Sequence, residues 1–184
     1  HFYFGSNGKK TVSTKKSIGG KEYLFDERGV AQYGWKQNDN EEWMYYGDSE
    51  EPYLRTGWFQ AVPAEGMNPS AHEDGSVYWY YATSAGKIAD SEFRTIDGKT
   101  YAFNRNGELV TGLKRMTVDP ADKKKILSIA SVDYISDIEG DLESQDTYVC
   151  YFGGDGAAKT GTQTLTIDGS SYTFDFKSNG SPKG

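Results

Sequence analysis

The chain of 184 residues is poor in the side chains that build reactive centres, because it has one cysteine and two histidines. The single cysteine, Cys150, excludes an intrachain disulfide and a thiolate metal cluster. His1 stands at the beginning of the sequence and His72 in a segment rich in proline and glycine. Neither a nucleophile–base pair nor a histidine metal site is therefore expected. We predict a chain without a cofactor, a bound metal or enzymatic activity.

Long apolar runs and a strong excess of positive charge are also missing. No apolar run approaches the roughly 18 to 20 residues that a membrane-spanning helix requires. The formal net charge is -7, and the 20 basic residues are scattered apart from Lys123, Lys124 and Lys125. These features predict a soluble protein that neither spans a membrane nor binds nucleic acid.

Carboxylates are numerous, and glycosidases use a pair of them. Those near the aromatic residues stand in predicted turns, where acidic side chains are usually solvated or locally hydrogen-bonded, so a hydrolytic role is the weakest hypothesis. They are Glu41, Glu42, Asp48, Glu50 and Glu51. A second set of acidic residues lacks the spacing of a known calcium loop, so we predict that it lies in a solvated loop. Its members are Asp133, Asp137, Glu139, Asp141 and Glu143.

Aromatic residues and glycines, in contrast, are abundant and recur in a regular order. Rings make up 15% of the residues, and there are 22 glycines. Aromatic clusters, most of them followed by a glycine, recur about every 21 residues, with longer steps at two places. The clusters are Phe2–Phe4, Tyr23–Phe25, Met44–Tyr46, Trp79–Tyr81, Tyr101–Phe103, Cys150–Phe152 and Tyr172–Phe174.

Turn signals precede several clusters by two or three residues: Asp97-Gly98, Asp168-Gly169 and, in the same place, Gly19-Gly20. Such pairs form two-residue hairpin turns because both positions adopt positive φ. A lone two-stranded hairpin is marginal in water, so neighbouring hairpins must stack. The sequence therefore predicts an all-β fold, a β-hairpin repeat solenoid of about seven units of ~21 residues, two of them with insertions.

We expect one continuous module. Residues 1–113 hold repeats 1–5, with an exposed loop insertion at 60–77 that is indicated by two prolines and two glycines. Residues 114–147 form a second insertion, in which Asp119-Pro120 could start a short helix. Its β-branched residues favour extra strands with a loop instead. Residues 148–184 hold repeats 6 and 7.

The stretch Gly34–Trp58 reads GWKQNDNEEWMYYGDSEEPYLRTGW, in which two Gly-Trp pairs flank a Trp-x-Tyr-Tyr strand. With this pattern, the chain resembles the cell-wall-binding repeats. That family includes the choline-binding modules of pneumococcal surface proteins and phage lysins. Its relatives are the glucan-binding repeats of streptococcal glucosyltransferases and the C-terminal repeats of clostridial toxins. The resemblance implies a β-hairpin solenoid with aromatic cages for choline or sugar, in proteins exported to a bacterial surface.

Strands alternate their side chains between two faces, which sorts each cluster into two columns. The column through Tyr23/Phe25, Met44/Tyr46, Trp79/Tyr81 and Cys150/Phe152 is apolar in every repeat and predicts the core. The opposite column is fully aromatic only in the two central repeats. A third column, which approximately follows the repeat's second glycine, is aromatic only in the middle of the chain, at Trp35, Trp58 and Phe93. Core packing alone does not require this. We therefore predict a ligand site of six rings: Trp35, Trp43, Tyr45, Trp58, Tyr78 and Tyr80. The alternative is that these rings pack against the loop at 60–77.

These observations favour a non-catalytic binding module of a secreted protein on a Gram-positive cell surface. Its expected partner is choline-bearing teichoic acid or another wall or extracellular glycan. The chain begins with HFYF, which is typical of the middle of a strand, so we expect a fragment or processed product with an upstream domain. The alternative function is a structural spacer or a protein-adhesion module that presents its insertions to a host or surface partner.

Overall fold

The structure, a computed structural model, describes residues 1–139 and 145–177. Parts of the predicted regions lie outside the described residues: residues 140–144 of the second insertion, with Asp141 and Glu143, and residues 178–184 of the last repeat. The chain divides into two compact halves, the first half His1–Ala89 and the second half from Asp90 onward. Among the described residues, none of the helices has the length and apolar character needed to cross a membrane.

Nearly all regular structure is β, as the repeats predict. The first half contains β1 (Thr14–Ile18), β2 (Lys21–Phe25), β3 (Trp35–Gln37), β4 (Trp43–Tyr45), β5 (Gly57–Ala61), α1 (Pro69–Asp74) and β6 (Tyr78–Ala82). The second half contains β7 (Glu92–Ile96), β8 (Lys99–Phe103), β9 (Gly112–Val118), β10 (Ile126–Ser131), a 3-10 turn (Ile135–Asp137), β11 (Thr147–Phe152), β12 (Gly161–Ile167) and β13 (Ser170–Phe176).

Five of the sheets in the described residues are two-stranded antiparallel hairpins, and one sheet has three strands. Strands pair as β1–β2, β3–β4, β5–β6, β7–β8 and β12–β13, while β9 pairs with both β10 and β11. The three predicted tight turns are confirmed, since φ is 58° and 79° at Gly19-Gly20, 50° and 77° at Asp97-Gly98, and 47° and 77° at Asp168-Gly169. The all-β hairpin-repeat fold class is thereby confirmed.

Isolated bridges after the aromatic strands show where each repeat ends. In the fourth repeat the bridge residue is Ala82, which stands four positions before Gly86, as Phe25 stands four before Gly29. The remaining bridges of this kind are Phe4↔Lys10, Phe103↔Leu109 and Phe152↔Ala158. Ala82 is therefore the residue equivalent to Phe25, whereas the aligned clusters predicted Tyr81.

Within each half, backbone hydrogen bonds join a repeat to the one before it. In the first half, the N–H of Leu54 donates to the carbonyl oxygen of Glu22 at 2.8 Å, and that of Ile88 donates to Trp43 at 3.1 Å. In the second half, the N–H of Ala158 donates to Thr100 at 2.8 Å. In each case the segment that follows an aromatic strand lies against the preceding aromatic strand.

The insertion at 60–77 differs from the exposed loop that the sequence predicts. It contains α1, which begins after Asn68, whose side chain accepts the N–H of Ala71. Pro63, Met67 and Ala71 are buried. Proline and glycine correctly indicate turns here, but the apolar residues between them pack against the rings of the neighbouring repeats. In the second insertion, β10 lies beside β9 with an irregularity between Ile126 and Ser128.

Gly86 is a loop glycine that lies very close to a neighbouring repeat. Its φ is +85°, and a Cβ there would lie 2.6 Å from the methyl groups of Leu54. We expect Gly86→Ala to destabilise the first half by more than the about 1–2 kcal/mol of left-handed backbone strain. Gly20→Ala, at φ +79° with open space around it, is the matched control and adds the strain alone. Urea unfolding followed by tryptophan fluorescence measures both, because all four tryptophans lie in the first half. Equal losses would show that the Leu54 contact carries no constraint.

Cys150 lies on β11 with 0% exposure, within the core of the second half. Burial raises the pKa of its thiol to about 12. At pH 8 the thiol therefore stays protonated and unreactive. We expect Ellman's reagent to leave the native protein unlabelled and to titrate one thiol after denaturation. Ser171→Cys, at an exposed position of β13, is the control and labels one of two thiols in the native state. Rapid native labelling of Cys150 itself would contradict its place in the core.

Candidate functional site

Three rings of the third repeat form one group on the hairpin β3–β4, here called the first triad: Trp35, Trp43 and Tyr45. Trp35 stands opposite Tyr45 in the strand register. The centroids of Trp35 and Trp43 are 6.3 Å apart with planes at 89°, and those of Trp35 and Tyr45 are 4.8 Å apart. The three side chains are half-buried. The structure thus brings together three of the six predicted site residues.

The next hairpin, β5–β6, repeats this arrangement with a second triad: Trp58, Trp79 and Tyr81. Trp58 stands opposite Tyr81. The centroids of Trp58 and Trp79 are 6.3 Å apart with planes at 83°, and those of Trp58 and Tyr81 are 5.2 Å apart at 69°. Trp79 is 45% exposed. The two triads are equivalent in register and in their Trp–Trp geometry, whereas the Trp–Tyr planes stand at 43° in the first triad and at 69° in the second.

The predicted faces of β6 are wrong by one residue. Tyr80, expected in the ligand site, has 0% exposure and lies in the core, and Tyr78 packs against the same core cluster. Trp79 and Tyr81, expected in the core, lie on the face that carries the second triad. The residue after each repeat's second glycine has an equivalent partner throughout: Lys15↔Leu24, Trp35↔Tyr45, Trp58↔Tyr81, Phe93↔Ala102, Leu113↔Tyr151 and Thr162↔Asp175.

Spacing to the loop glycine is the signal that identifies the correct face. Counting back four positions from Gly86 reaches Ala82, and the alternation from Ala82 places Tyr80 inside and Trp79 and Tyr81 outside. Alignment on the last ring of the cluster hides this, because Trp79-Tyr80-Tyr81 is aromatic on both faces of the strand.

The first triad is covered by the protein itself. Phe59 stacks on Tyr45 at 5.0 Å with planes 7° apart, and Tyr80 lies 5.0 Å from Trp35. The indole N–H of Trp35 donates to the carbonyl oxygen of Val62 at 2.8 Å. Burial raises the pKa of the Tyr45 phenol. The alternative from the sequence is that the predicted site rings pack against the loop at 60–77. For Trp35 that alternative describes the structure.

The carboxylates near the rings are engaged in local contacts. Glu42 forms an ion pair with Lys87 at 2.8 Å and accepts the amide of Asn38 at 2.9 Å, and these contacts hold its pKa below the usual range. Asp48 accepts the backbone N–H groups of Glu51 and Glu50, which lower its pKa. In the part of the chain that the structure describes, no group of three or more His, Cys, Asp or Glu could hold a metal ion.

Hairpins of this register with paired aromatic triads define a class, the β-hairpin repeat modules, and comparisons with known proteins agree. The chain is 30% identical over 170 residues to Glucosyltransferase-S of Streptococcus mutans serotype c. The aligned region covers 89% of this chain and 10% of the glucosyltransferase. The structure of the modular autolysin LytC of Streptococcus pneumoniae is similar at a TM-score of 0.54 and 18% identity. The superposition covers all of this chain and 30% of the autolysin chain. The superposition on choline binding protein F of the same species covers 98% of this chain and 54% of that protein, at a TM-score of 0.42 and 19% identity.

The predicted resemblance to the cell-wall-binding repeats, with their choline-binding and glucan-binding relatives, is confirmed. LytC supports it through the fold, and the glucosyltransferase supports it through sequence similarity. No family model matches the chain. The chain spans only 10% of the curated relative and 30% of the autolysin chain.

Adjacent residues of β6 should respond differently to truncation. Tyr80→Ala removes a fully buried ring, and we expect a loss of about 3–5 kcal/mol of unfolding free energy. Trp79→Ala removes an exposed ring whose pair contact with Trp58 contributes about 0.5–1.5 kcal/mol. Urea unfolding followed by far-ultraviolet circular dichroism compares the two without relying on tryptophan emission. Similar losses for both variants would contradict the face assignment.

Proposed function

We propose that the chain is a non-catalytic binding module of a secreted, Gram-positive cell-surface protein, and that it holds choline or a sugar of the wall at the second triad. The observation that carries this proposal is the aromatic face of β5–β6, where three rings gather and Trp79 is 45% exposed. Its partner is choline-bearing teichoic acid or another wall or extracellular glycan. An upstream domain in the same protein supplies a separate activity, and this module attaches it to the wall.

The ring geometry suits a compact cation. The planes of Trp79 and Tyr81 stand at 83° and 69° to that of Trp58, so the rings are set at steep angles to one another. A quaternary ammonium group gains about 0.5–2 kcal/mol from each ring face it contacts, depending on how far it is desolvated. The formal net charge of -7 also favours a cationic ligand over an anionic one.

A sugar is the second ligand class that these rings accommodate. Indole and phenol faces stack on the apolar face of a pyranose, and the steep neighbouring ring limits its position. Sequence similarity to a glucosyltransferase supports this class, whereas the shared fold with a pneumococcal autolysin supports attachment to a wall. Several such weak sites in a longer array would add through effective concentration.

A spacer or adhesion role is the second candidate function. It is favoured by large exposed side chains on the second insertion, where Leu127 and Tyr134 are more than half exposed. A pure spacer would bury Trp35, Trp43 and Trp58 between its hairpins, with no open cage. None of the three is fully buried, which favours the binding module.

Titration with choline chloride and with short glucans, followed by tryptophan fluorescence, tests the proposal. We expect millimolar choline or glucan to quench the emission and Trp79→Ala to weaken affinity about 2- to 30-fold, the loss of one ring contact. Tyr33→Ala, which removes a 54% exposed ring outside both triads, is the control and should bind normally. Purified cell walls provide an independent pull-down. If choline, glucans and walls all fail to bind, the binding function is wrong and the adhesion role remains.

A further inference from the structure

The two triads lie on successive hairpins. The hairpins that follow them in sequence differ in how their strands are joined. The hairpin that follows the first triad is β5–β6, whose strands are joined by residues 62–77. The next hairpin, β7–β8, is closed by Asp97-Gly98 alone. The insertion is therefore a feature of one repeat, and it lies in the same half of the chain as the first triad.

Contacts of the insertion converge on the first triad. The Val62 carbonyl oxygen accepts the Trp35 indole N–H at 2.8 Å. Gly66 approaches Trp43 so closely that a Cβ would lie 3.2 Å from Cζ2 of that ring. Met67 is buried in the core cluster against which all three rings of the triad pack.

Each of these contacts has the chemistry of a ligand contact on an aromatic site. A buried thioether is polarizable and packs favourably beside rings. The carbonyl oxygen satisfies the indole N–H, the one polar group that the tryptophan of a ring site offers to a ligand. A glycine at 66 lets the backbone lie directly against the indole, since no side chain intervenes. Together with Phe59 and Tyr80 of the hairpin β5–β6, the insertion thus supplies to the first triad the apolar and polar partners that an external ligand would otherwise supply.

We propose that the insertion, residues 62–77, is a built-in cap that closes a second ligand site at the first triad. The cap leaves the second triad as the ligand site of the first half. This inference rests on the proposed function for the ligand competence of the triads, but closure itself is measurable without any ligand. It makes the insertion the element that sets how many ligands the first half takes.

Replacing residues 62–77 by Asp-Gly is the direct test. Ala61 and Tyr78 are paired at the end of β5–β6, as Ile96 and Lys99 are paired around Asp97-Gly98, so the replacement keeps the strand register. The first readout is hydrogen exchange of the four indole N–H groups, assigned by single Trp→Phe variants. We expect exchange at Trp35 to accelerate at least tenfold, with Trp79 unchanged.

Ligand stoichiometry is the second readout. Calorimetric titration with choline chloride, or with a short glucan if that is the ligand that binds, should give about one site in the unaltered chain and about two in the turn variant. Adding Trp43→Ala to the turn variant should return the count to one. Unchanged exchange at Trp35 would overturn the cap. A turn variant that exposes Trp35 but gains no site, while the second triad still binds, would also overturn it.

Gly66→Leu tests the same proposal if the turn variant does not fold. The added side chain crowds Trp43, because a Cβ there would already lie 3.2 Å from Cζ2 of the ring, so we expect a looser contact and faster exchange at Trp35 with the connection intact. Glu65→Leu is the matched control, since Glu65 is exposed and adjacent. Equal exchange in the two variants would overturn the cap. Absence of any ligand binding in all proteins would instead contradict the proposed function, and the exchange rates alone would then decide closure.

Discussion

Within each half the fold depends on one interaction, the backbone hydrogen bond from the segment after an aromatic strand to the aromatic strand of the repeat before it. Leu54 to Glu22 and Ile88 to Trp43 are two such bonds in the first half. A two-stranded hairpin cannot bury its own apolar face, so it gains stability only when a neighbour covers it. Close approach of the neighbour requires a loop without a side chain at the contact, which explains why Gly86 faces Leu54.

This arrangement separates the two faces of every aromatic strand. The inner face must be apolar because it is the core, and Tyr46, Tyr80 and Phe103 on that face are fully buried. The outer face is more variable: it carries the rings of the triads in the first half, whereas in the second half it carries Thr100 and the buried Ala102 and Val149. Rings on the outer face of two hairpins therefore form triads that are additional to the core. The first triad is in addition contacted by the insertion.

Much of the fold was predictable because its signals are local. A two-residue turn at Asp97-Gly98 is encoded by those two residues, and the repeats follow from the spacing of rings and glycines. The error at Trp79-Tyr80-Tyr81 has a physical origin, since three consecutive rings satisfy an inside and an outside assignment equally well. Only the distance to Gly86 distinguishes the two assignments. Ligand binding by the triads stays a prediction.

The insertion at 60–77 was less predictable because its burial depends on residues far away in sequence. Proline and glycine indicate where the chain turns, but they contain no information about which surface the segment then meets. Met67 is buried in the cluster against which rings of β3 and β4 pack, and that cluster exists only after the hairpins stack. The partner of an indole N–H, here the carbonyl of Val62, is likewise a property of the tertiary structure.

The central strand β9 has a consequence for the order of folding. Most hairpins of the second half are joined by two residues, as at β7–β8 and β12–β13, and such contacts form in about 1–10 μs. β9 pairs instead with β11 across the whole second insertion, and Val118 and Thr147 are its nearest ends. Because closing a longer loop costs more chain entropy, this pairing forms after the short hairpins. The second half thus acquires its middle last, between ends that are already folded.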